Sequence, residues 1–364
     1  MATISLCMIV KDEEAVLERC LTSVFPAVDE IIIADTGSQD HTREIAAKYA
    51  HKLLEIPWEN NFAAARNASF SKATGEYLMW LDADDVILPE DLTKLLQLKE
   101  KLNGTQDVIM LPYHTAFDEA GRPVFTCYRE RILRRSLPHY WEGRVHEVIV
   151  HAGRLLYADA AVTHRSIKTA YSDRNLRIYE KQKALGEAFT PRDLFYYGRE
   201  LYYNKRYADA EKVLNAFLQK NGWIADQVEA YKFLAYCYEI LQMPEKRLDA
   251  LLHALRLGMP RAEICCELGR FWTEREDYAA ALFWYQTAMK LPVDTQGFIA
   301  LDAYGFLPAL GSCVCYDRLG DHEKAAQYNQ IAGQYRPDSP EYLQNLEYFS
   351  SLCPNPRAAD GIYC

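Results

Sequence analysis

Acidic residues stand at the ends of short apolar runs in the first part of this chain, and that placement constrains the fold more than any other feature. The runs are Ile4–Val10 (ISLCMIV), Glu30–Ala34 (EIIIA), Leu53–Ile56 (LLEI) and Tyr77–Leu81, all of strand length. The segments between them have helical spacing. Val16, Leu17, Cys20, Leu21 and Val24 share one face, Ile45, Ala46 and Tyr49 another, and a third helix is expected over Phe62–Phe70. Asp12 is placed to cap the first helix, Asp40 to start the second, and Pro89 to open one reaching about Leu102. Such alternation predicts a mostly parallel sheet with helices on both faces. VIMLPYHTAF and VFTCYRERIL then flank Asp118–Gly121 and read as a hairpin, and LLYADAAVTH reads as a further strand.

In an open parallel sheet, ligands bind outside the carboxyl ends of the strands. Lys11, Asp12 and Glu13 follow the first strand. Asp35, Thr36, Gly37 and Ser38 follow the second, and Asp82, Ala83, Asp84 and Asp85 follow the fourth. All three sets therefore converge on one rim. No glycine-rich phosphate loop follows the first strand, which argues against a dinucleotide fold or a P-loop. The rim concentrates negative charge instead. Two like charges at ~4 Å and an effective dielectric near ~20 cost about 4 kcal/mol, so a diphosphate needs a divalent cation there. Carboxylate oxygens suit Mg²⁺ or Mn²⁺. Asp82 and Asp84 lie two apart, on one side of an extended segment, as shared ligation requires.

The net charge of −10 excludes a broad electrostatic grip on nucleic acid. A length of 364 residues points to two domains, and 49% hydrophobic residues to a globular chain. The N-terminus lacks the pattern of a secretory leader, and no apolar run is long enough to span a membrane. The ten cysteines show no metal-ligand spacing. Reduced thiols in a cytoplasmic protein, peripheral to the membrane at most, are the expectation.

From about Ala170 the chain reads as helical throughout. Helical pairs are marked by Gly198, Tyr207, Ala210 and Leu214, by Ala235, Tyr238, Leu251 and Ala254, by Gly269, Trp272, Ala281, Tyr285, Ala288 and Pro292, and by Tyr316, Gly320, Ala325, Ala332 and Pro337. Arg247 and Ala281 occupy matching slots one period of about 34 residues apart, which resembles tetratricopeptide repeats. Ala325 falls later than that period allows, implying an insertion around Thr295–Gly305.

ISLCMIVKDEE, IIIADTGSQDHT, NNFAAARNASF and EYLMWLDADD, in that order, resemble family 2 glycosyltransferases of the GT-A fold over roughly the first 165 residues. The bacterial branch of lipopolysaccharide-core and peptide glycosyltransferases is the most similar. The fold implied is an α/β, Rossmann-like GT-A domain (1–168), a connecting helix (169–190), an all-α tetratricopeptide-like domain (191–352) and a tail (353–364). The resemblance implies that Asp35 receives the base, usually uracil, and that Lys11, Asp12 and Glu13 line the nucleoside pocket. Arg66 and Asn67 would hold the nucleotide, Asp82 and Ala83 the ribose and sugar, and Asp84 the metal, with Asp82 near it.

WEGRVHEVIV at Trp141–Val150 resembles the acceptor-side segment of this branch. Where relatives carry a Glu-Asp pair, this chain has His146–Glu147. Glu147, then Glu142, is the candidate base. His164 and His146 are rival candidates to complete the metal shell. Arg131, Arg134 and Trp141 are candidates for phosphate or acceptor contacts. The implied activity is an inverting, hexosyltransferase-type displacement from a nucleotide-sugar, a UDP-sugar above all, with Mn²⁺ or Mg²⁺. A peptide or protein Ser, Thr or Cys is the leading acceptor and a lipid-linked or lipopolysaccharide-core glycan the alternative. The repeats would bind the acceptor or form a homodimer. A sugar nucleotidyltransferase would need a glycine- and lysine-rich loop that VKDEE does not supply, and a scaffold with a degenerate donor domain would not be expected to keep Asp35, Arg66, Asn67, Asp82 and Asp84 together.

Overall fold

The computed structural model describes residues 2–167, 171–220, 222–293 and 297–352. It divides into two compact units, Met1–Ala116 with Thr126–Arg206, and Phe117–Phe125 with Tyr207–Cys364. The division between Arg206 and Tyr207 leaves Gly198 in the first unit and Tyr207, Ala210 and Leu214 in the second. The tail 353–364 lies outside the described residues.

The first unit opens with β1 (Ile4–Val10), α1 (Leu17–Val24), β2 (Glu30–Asp35), α2 (Thr42–Tyr49), β3 (Lys52–Glu55), α3 (Phe62–Phe70), β4 (Tyr77–Trp80), β5 (Asp85–Val86) and α4 (Pro89–Lys101). The hairpin strands β6 (Val108–Phe117) and β7 (Pro123–Arg134) follow, then β8 (Tyr140–Glu142), β9 (Val148–Val150), β10 (Leu155–Tyr157), β11 (Val162–His164), α5 (Arg174–Ala184) and α6 (Pro191–Tyr203). The main sheet has the order β3-β2-β1-β4-β7-β6-β11-β5. Pairing is parallel from β3 to β4 and antiparallel between β4 and β7 and between β11 and β5. Ile4, Leu6, Met8 and Val10 are buried, and so are Ser5 and Cys7 on the other side of β1. A strand covered on both faces needs the continuous apolar run seen in its sequence. Leu17, Cys20, Leu21 and Val24 bury one stripe of α1, and each large apolar side chain so buried contributes about 1.5–3 kcal/mol.

Asp12 does not cap α1. That helix begins at Leu17, and the Asp12 carboxylate accepts from the Gln39 amide at 2.8 Å instead. A polar turn intervenes between β1 and α1, which the helical spacing alone did not reveal.

The second unit contains α7 (Tyr207–Leu218), α8 (Ile224–Ile240), α9 (Pro244–Ala254), α10 (Ala262–Glu274), α11 (Tyr278–Ala288), β12 (Ile299–Ala300), α12 (Phe306–Arg318), α13 (His322–Tyr335) and α14 (Pro340–Leu352). Ala210, Ala281, Ala288, Ala325 and Ala332 are fully buried, so these helices approach on small residues. Tyr285 fills the space left by Gly269 and Gly311, where added Cβ atoms would stand 2.6 and 2.5 Å from its ring. Arg247 pairs with Glu274 at 2.5 Å, and Arg270 with Glu239 at 2.6 Å. Where an insertion was expected at 295–305, the described part holds β12 and a 3-10 turn, Leu301–Tyr304. Residues 295 and 296 lie outside the described set.

Candidate active site

The strand order turns back at β1, which stands between β2 and β4. Val10 is in register with Asp35, and Cys7 with Trp80, so the segments leaving β1, β2 and β4 emerge side by side. They wall a cavity of about 570 Å³, within the first unit, lined among others by Lys11, Asp12, Glu13, Thr36, Asp82, Ala83 and Asp84. This is the rim expected for a ligand at the turning point of an open sheet.

The first two loops brace each other. The Asp12 amide donates to Ser38 Oγ at 3.0 Å and the Glu13 amide to Thr42 Oγ1 at 2.7 Å. Asp12 holds a left-handed conformation, φ 52°, within this turn, which aspartate tolerates better than most residues. Asp35 is buried. Its Oδ1 accepts from the Gly37 and Ser38 amides at 3.0 Å each, while its buried Oδ2 has no partner. An unpaired buried carboxylate oxygen is costly, and Asp35 stands behind the cavity-lining Thr36 without itself lining the cavity.

Arg66 organises the cavity wall. Asn61 caps α3 by accepting from the Ala64 amide at 3.0 Å, and the helix carries Arg66 inward. Its guanidinium lies over the rings of Trp80 and Trp141, 5.0 and 4.7 Å from their centres. It donates to Asp82 at 2.7 Å and to Glu147 at 2.6 Å. Burial pushes the Asp82 carboxyl up, but the charges of Arg66 and Arg131 outweigh it and hold the group down at about 2. Asp82 is therefore ionised and committed to Arg66.

Asp84, Asp85 and His164 form the one carboxylate–histidine group of metal-ligand spacing found among the described residues, each offering an atom within 4.8 Å of the others. Strand pairing assembles it, because His164 is the cross-strand partner of Asp85. His164 Nδ1 lies 3.5 Å from Asp84 and 3.6 Å from Asp85. Arg131, wholly buried, holds Asp85 Oδ2 at 3.1 Å, while the buried Oδ1 has no hydrogen-bond partner. Burial and the neighbouring Asp82 and Asp85 charges push the Asp84 carboxyl up, against the pull of His164. A divalent cation would remove that repulsion and use the orphaned oxygen, so the residues fit one.

His146, with φ 49°, also lines the cavity. Its Nε2 is 2.7 Å from Glu200 on α6, and its ring stacks on Tyr196 with centres 4.3 Å apart. Arg174 and Asn175 of α5 line the same cavity.

Lys11, Asp12, Glu13, Arg66, Asp82, Ala83, Asp84, His146 and Glu147 thus meet at one cavity. Other expected site residues are placed elsewhere. Arg131 does not face the cavity. It is buried between Trp80 and Tyr113 and serves Asp85. Arg134 pairs with Asp107 at 2.8 Å and bonds the Gly104 carbonyl, beside the first residue of β4 and so at the far end from the rim. Trp141 is buried against Phe70 and Trp80. Asn67 exchanges both its amide atoms with the Trp141 backbone, at 2.9 and 2.8 Å. Glu142 is exposed on β8 and does not line the cavity. His146 is outside the acidic cluster, and Asp85 stands there in place of Asp82.

The sequence reading missed Trp58, Phe62, Arg129, Arg174, Asn175 and Glu200. Only the aromatics of WENNF, in an otherwise polar turn, carried a local signal.

Residues 5–155 match the family profile described as Glycosyl transferase family 2. A TPR repeat-containing protein of Synechococcus elongatus is 50% identical over 95 residues, 26% of this chain and 24% of that protein. The SPbeta prophage-derived glycosyltransferase SunS of Bacillus subtilis is 28% identical over 214 residues, 55% of this chain and 49% of that protein. The chain therefore spans between a quarter and half the length of these curated relatives. Among solved structures, glucosyl-3-phosphoglycerate synthase of Mycobacterium tuberculosis shows a weak likeness, with TM-score 0.34 and 16% identity, over 52% of this chain and 82% of that one.

Proposed function

We propose, from the match of residues 5–155 to the Glycosyl transferase family 2 profile, that the rim cavity takes a UDP-sugar and that the chain transfers its sugar, with inversion, to a peptide or protein side chain. One observation carries the reading. Asp84 belongs both to the cavity wall and to the Asp84–Asp85–His164 group, so a cation held there stands at the edge of a cavity of ligand size.

The other residues fit around it. The orphaned Asp35 Oδ2 is an acceptor for a base N–H. Arg129, over the Trp80 ring at 4.8 Å, and Lys11 and Arg174 bring positive charge to the diphosphate. Mn²⁺ or Mg²⁺, held by Asp84, Asp85 and His164, supplies charge neutralisation at the diphosphate when bound. Asp82 stays an anion paired with Arg66, which fixes the wall beside the ribose. Asn67 acts at one remove by holding the Trp141 backbone. The helical pairs of the second unit support an acceptor-binding role, since stacked repeats present extended surfaces to peptides.

The reading is tested by calorimetric titration of UDP into the protein with and without Mn²⁺. Binding that requires the ion is expected. Failure of UDP and of UDP-sugars to bind under either condition would sink it.

A further inference from the structure

We propose that His146 is the base that takes the acceptor's proton, and that Glu200 is the residue that positions it. The inference rests on the transferase reading above and deepens it at the acceptor side.

The geometry is that of an oriented imidazole. Glu200 is 1% exposed and receives three groups, His146 Nε2 at 2.7 Å, the Tyr171 hydroxyl at 2.7 Å and Asn175 Nδ2 at 3.1 Å. A carboxylate that accepts from Nε2 places the ring proton there and leaves the Nδ1 lone pair available. His146 Nδ1 has no partner among the described residues, and the ring lines the cavity that Asp84 also lines. Stacking on Tyr196 fixes the ring plane. The backbone at φ 49° is an unusual conformation for a non-glycine residue, and unusual backbone at a cavity wall is a mark of a positioned group. The neighbouring Glu147 is less suited to the task, because its carboxylate is engaged by Arg66 at 2.6 Å.

The charges around the ring agree. Burial lowers the His146 pKa, and Arg199 lowers it further, against the pull of Glu200 and Glu147. Tyr179 stacks at longer range, and Arg192 donates to the His146 carbonyl at 3.1 Å. The ring is thus neutral near pH 7. Burial raises the Glu200 pKa, but the bonds from His146, Tyr171 and Asn175 lower it overall and keep the carboxylate charged.

The step balances with the nucleotide-sugar as donor. An acceptor oxygen or sulfur attacks the anomeric carbon while its proton passes to His146 Nδ1. The bond from that carbon to the diphosphate oxygen breaks, and the nucleoside diphosphate leaves with the electron pair. The imidazolium then returns its proton to water.

The test uses the full chain with Mn²⁺ and UDP-glucose, UDP-galactose and UDP-N-acetylglucosamine, following UDP release to water and to Ser-, Thr- and Cys-containing peptides. His146→Asn is the first variant, since asparagine tolerates the left-handed backbone. Turnover should fall by about 10²-fold or more, with UDP affinity within about threefold of the parent. Glu200→Gln should lower kcat by about tenfold, shift the acid limb of the pH profile, and alter the ¹⁵N tautomer signature of His146. Retained turnover in His146→Asn, or a loss matched by lost UDP binding, would overturn the role of His146. An unmoved pH profile and tautomer in Glu200→Gln would overturn that of Glu200. A parent protein that turns over none of the donors would overturn the transferase reading itself, and this inference with it.

Discussion

His164 faces Asp85 across the antiparallel pair of β11 and β5, and that pairing brings the imidazole within 3.5 Å of Asp84. The acid-rich end of β4 becomes a candidate metal-ligand set only because a strand from much later in the chain returns to it. Asp84→Ala should abolish Mn²⁺-dependent UDP binding while the far-UV circular dichroism of the protein is unchanged, because Asp84 is neither in a strand nor paired with a buried cation. Titration calorimetry of the variant decides it, and binding at parental affinity would remove Asp84 from the site.

Arg66 neutralises two carboxylates at once. Replacing it by Met leaves Glu147, whose side chain is 10% exposed, and Asp82, 35% exposed, without their cation. Losing one partner of a well-buried pair costs about 3–5 kcal/mol. Solvent at Asp82 screens part of that, so a loss of about 3 kcal/mol is expected in urea unfolding at pH 7. The deficit should shrink at low pH as Asp82 becomes protonated.

Glu30 supplies an acid-sensitive contribution away from the cavity. Burial raises its pKa, but Lys52, Ser5 and Thr74 bonds outweigh this and hold it at about 2, against an ordinary 4.5. A carboxylate whose folded pKa is depressed binds fewer protons folded than unfolded. Its contribution is present above the unfolded value and is lost as pH falls through the folded one. Stability should therefore drop between about pH 5 and pH 2, and Glu30→Gln should flatten that part of the curve. Urea midpoints measured across this range test the assignment.

Arg129 lines the cavity with its guanidinium over Trp80. Arg129→Ala should weaken UDP binding in Mn²⁺ by about tenfold, roughly one charge-assisted contact of about 1.4 kcal/mol. Uridine, which lacks the diphosphate, should bind the variant and the parent alike. Equal losses for both ligands would place the arginine away from the phosphates.

In the second unit, Gly269→Ala should destabilise, although alanine is the better helix former by about 1 kcal/mol. The new methyl would meet the Tyr285 ring at 2.6 Å, and overpacking costs about 1–3 kcal/mol. A variant as stable as the parent in urea would show that the ring can shift.

Much of this molecule was legible from local pattern. The apolar runs of β1, β2 and β4 follow from the two-residue period and full burial of their strands, and the buried stripe of α1 from the helical one. The convergence of Lys11, Asp82 and Asp84 at one cavity follows from parallel strands ending on one rim, and the alanine and glycine spacing of α10 and α11 from helices that must approach closely. These follow from local pattern and from the general rule that parallel strands end on one rim, so the sequence alone carries them. Partnerships across long chain separations are different, because they depend on strand register and on which helix face meets the sheet. Arg131 read as a phosphate or acceptor contact, yet β7 lies inside the sheet and buries it against Asp85. Asp82 read as a metal neighbour, yet α3 brings Arg66 to it first. His146 read as a rival ligand, yet α6 meets it with Glu200. In each case the side chain's chemistry was written in the sequence, but its partner was chosen by the tertiary packing, since a buried charge must find the nearest counter-charge that the fold delivers.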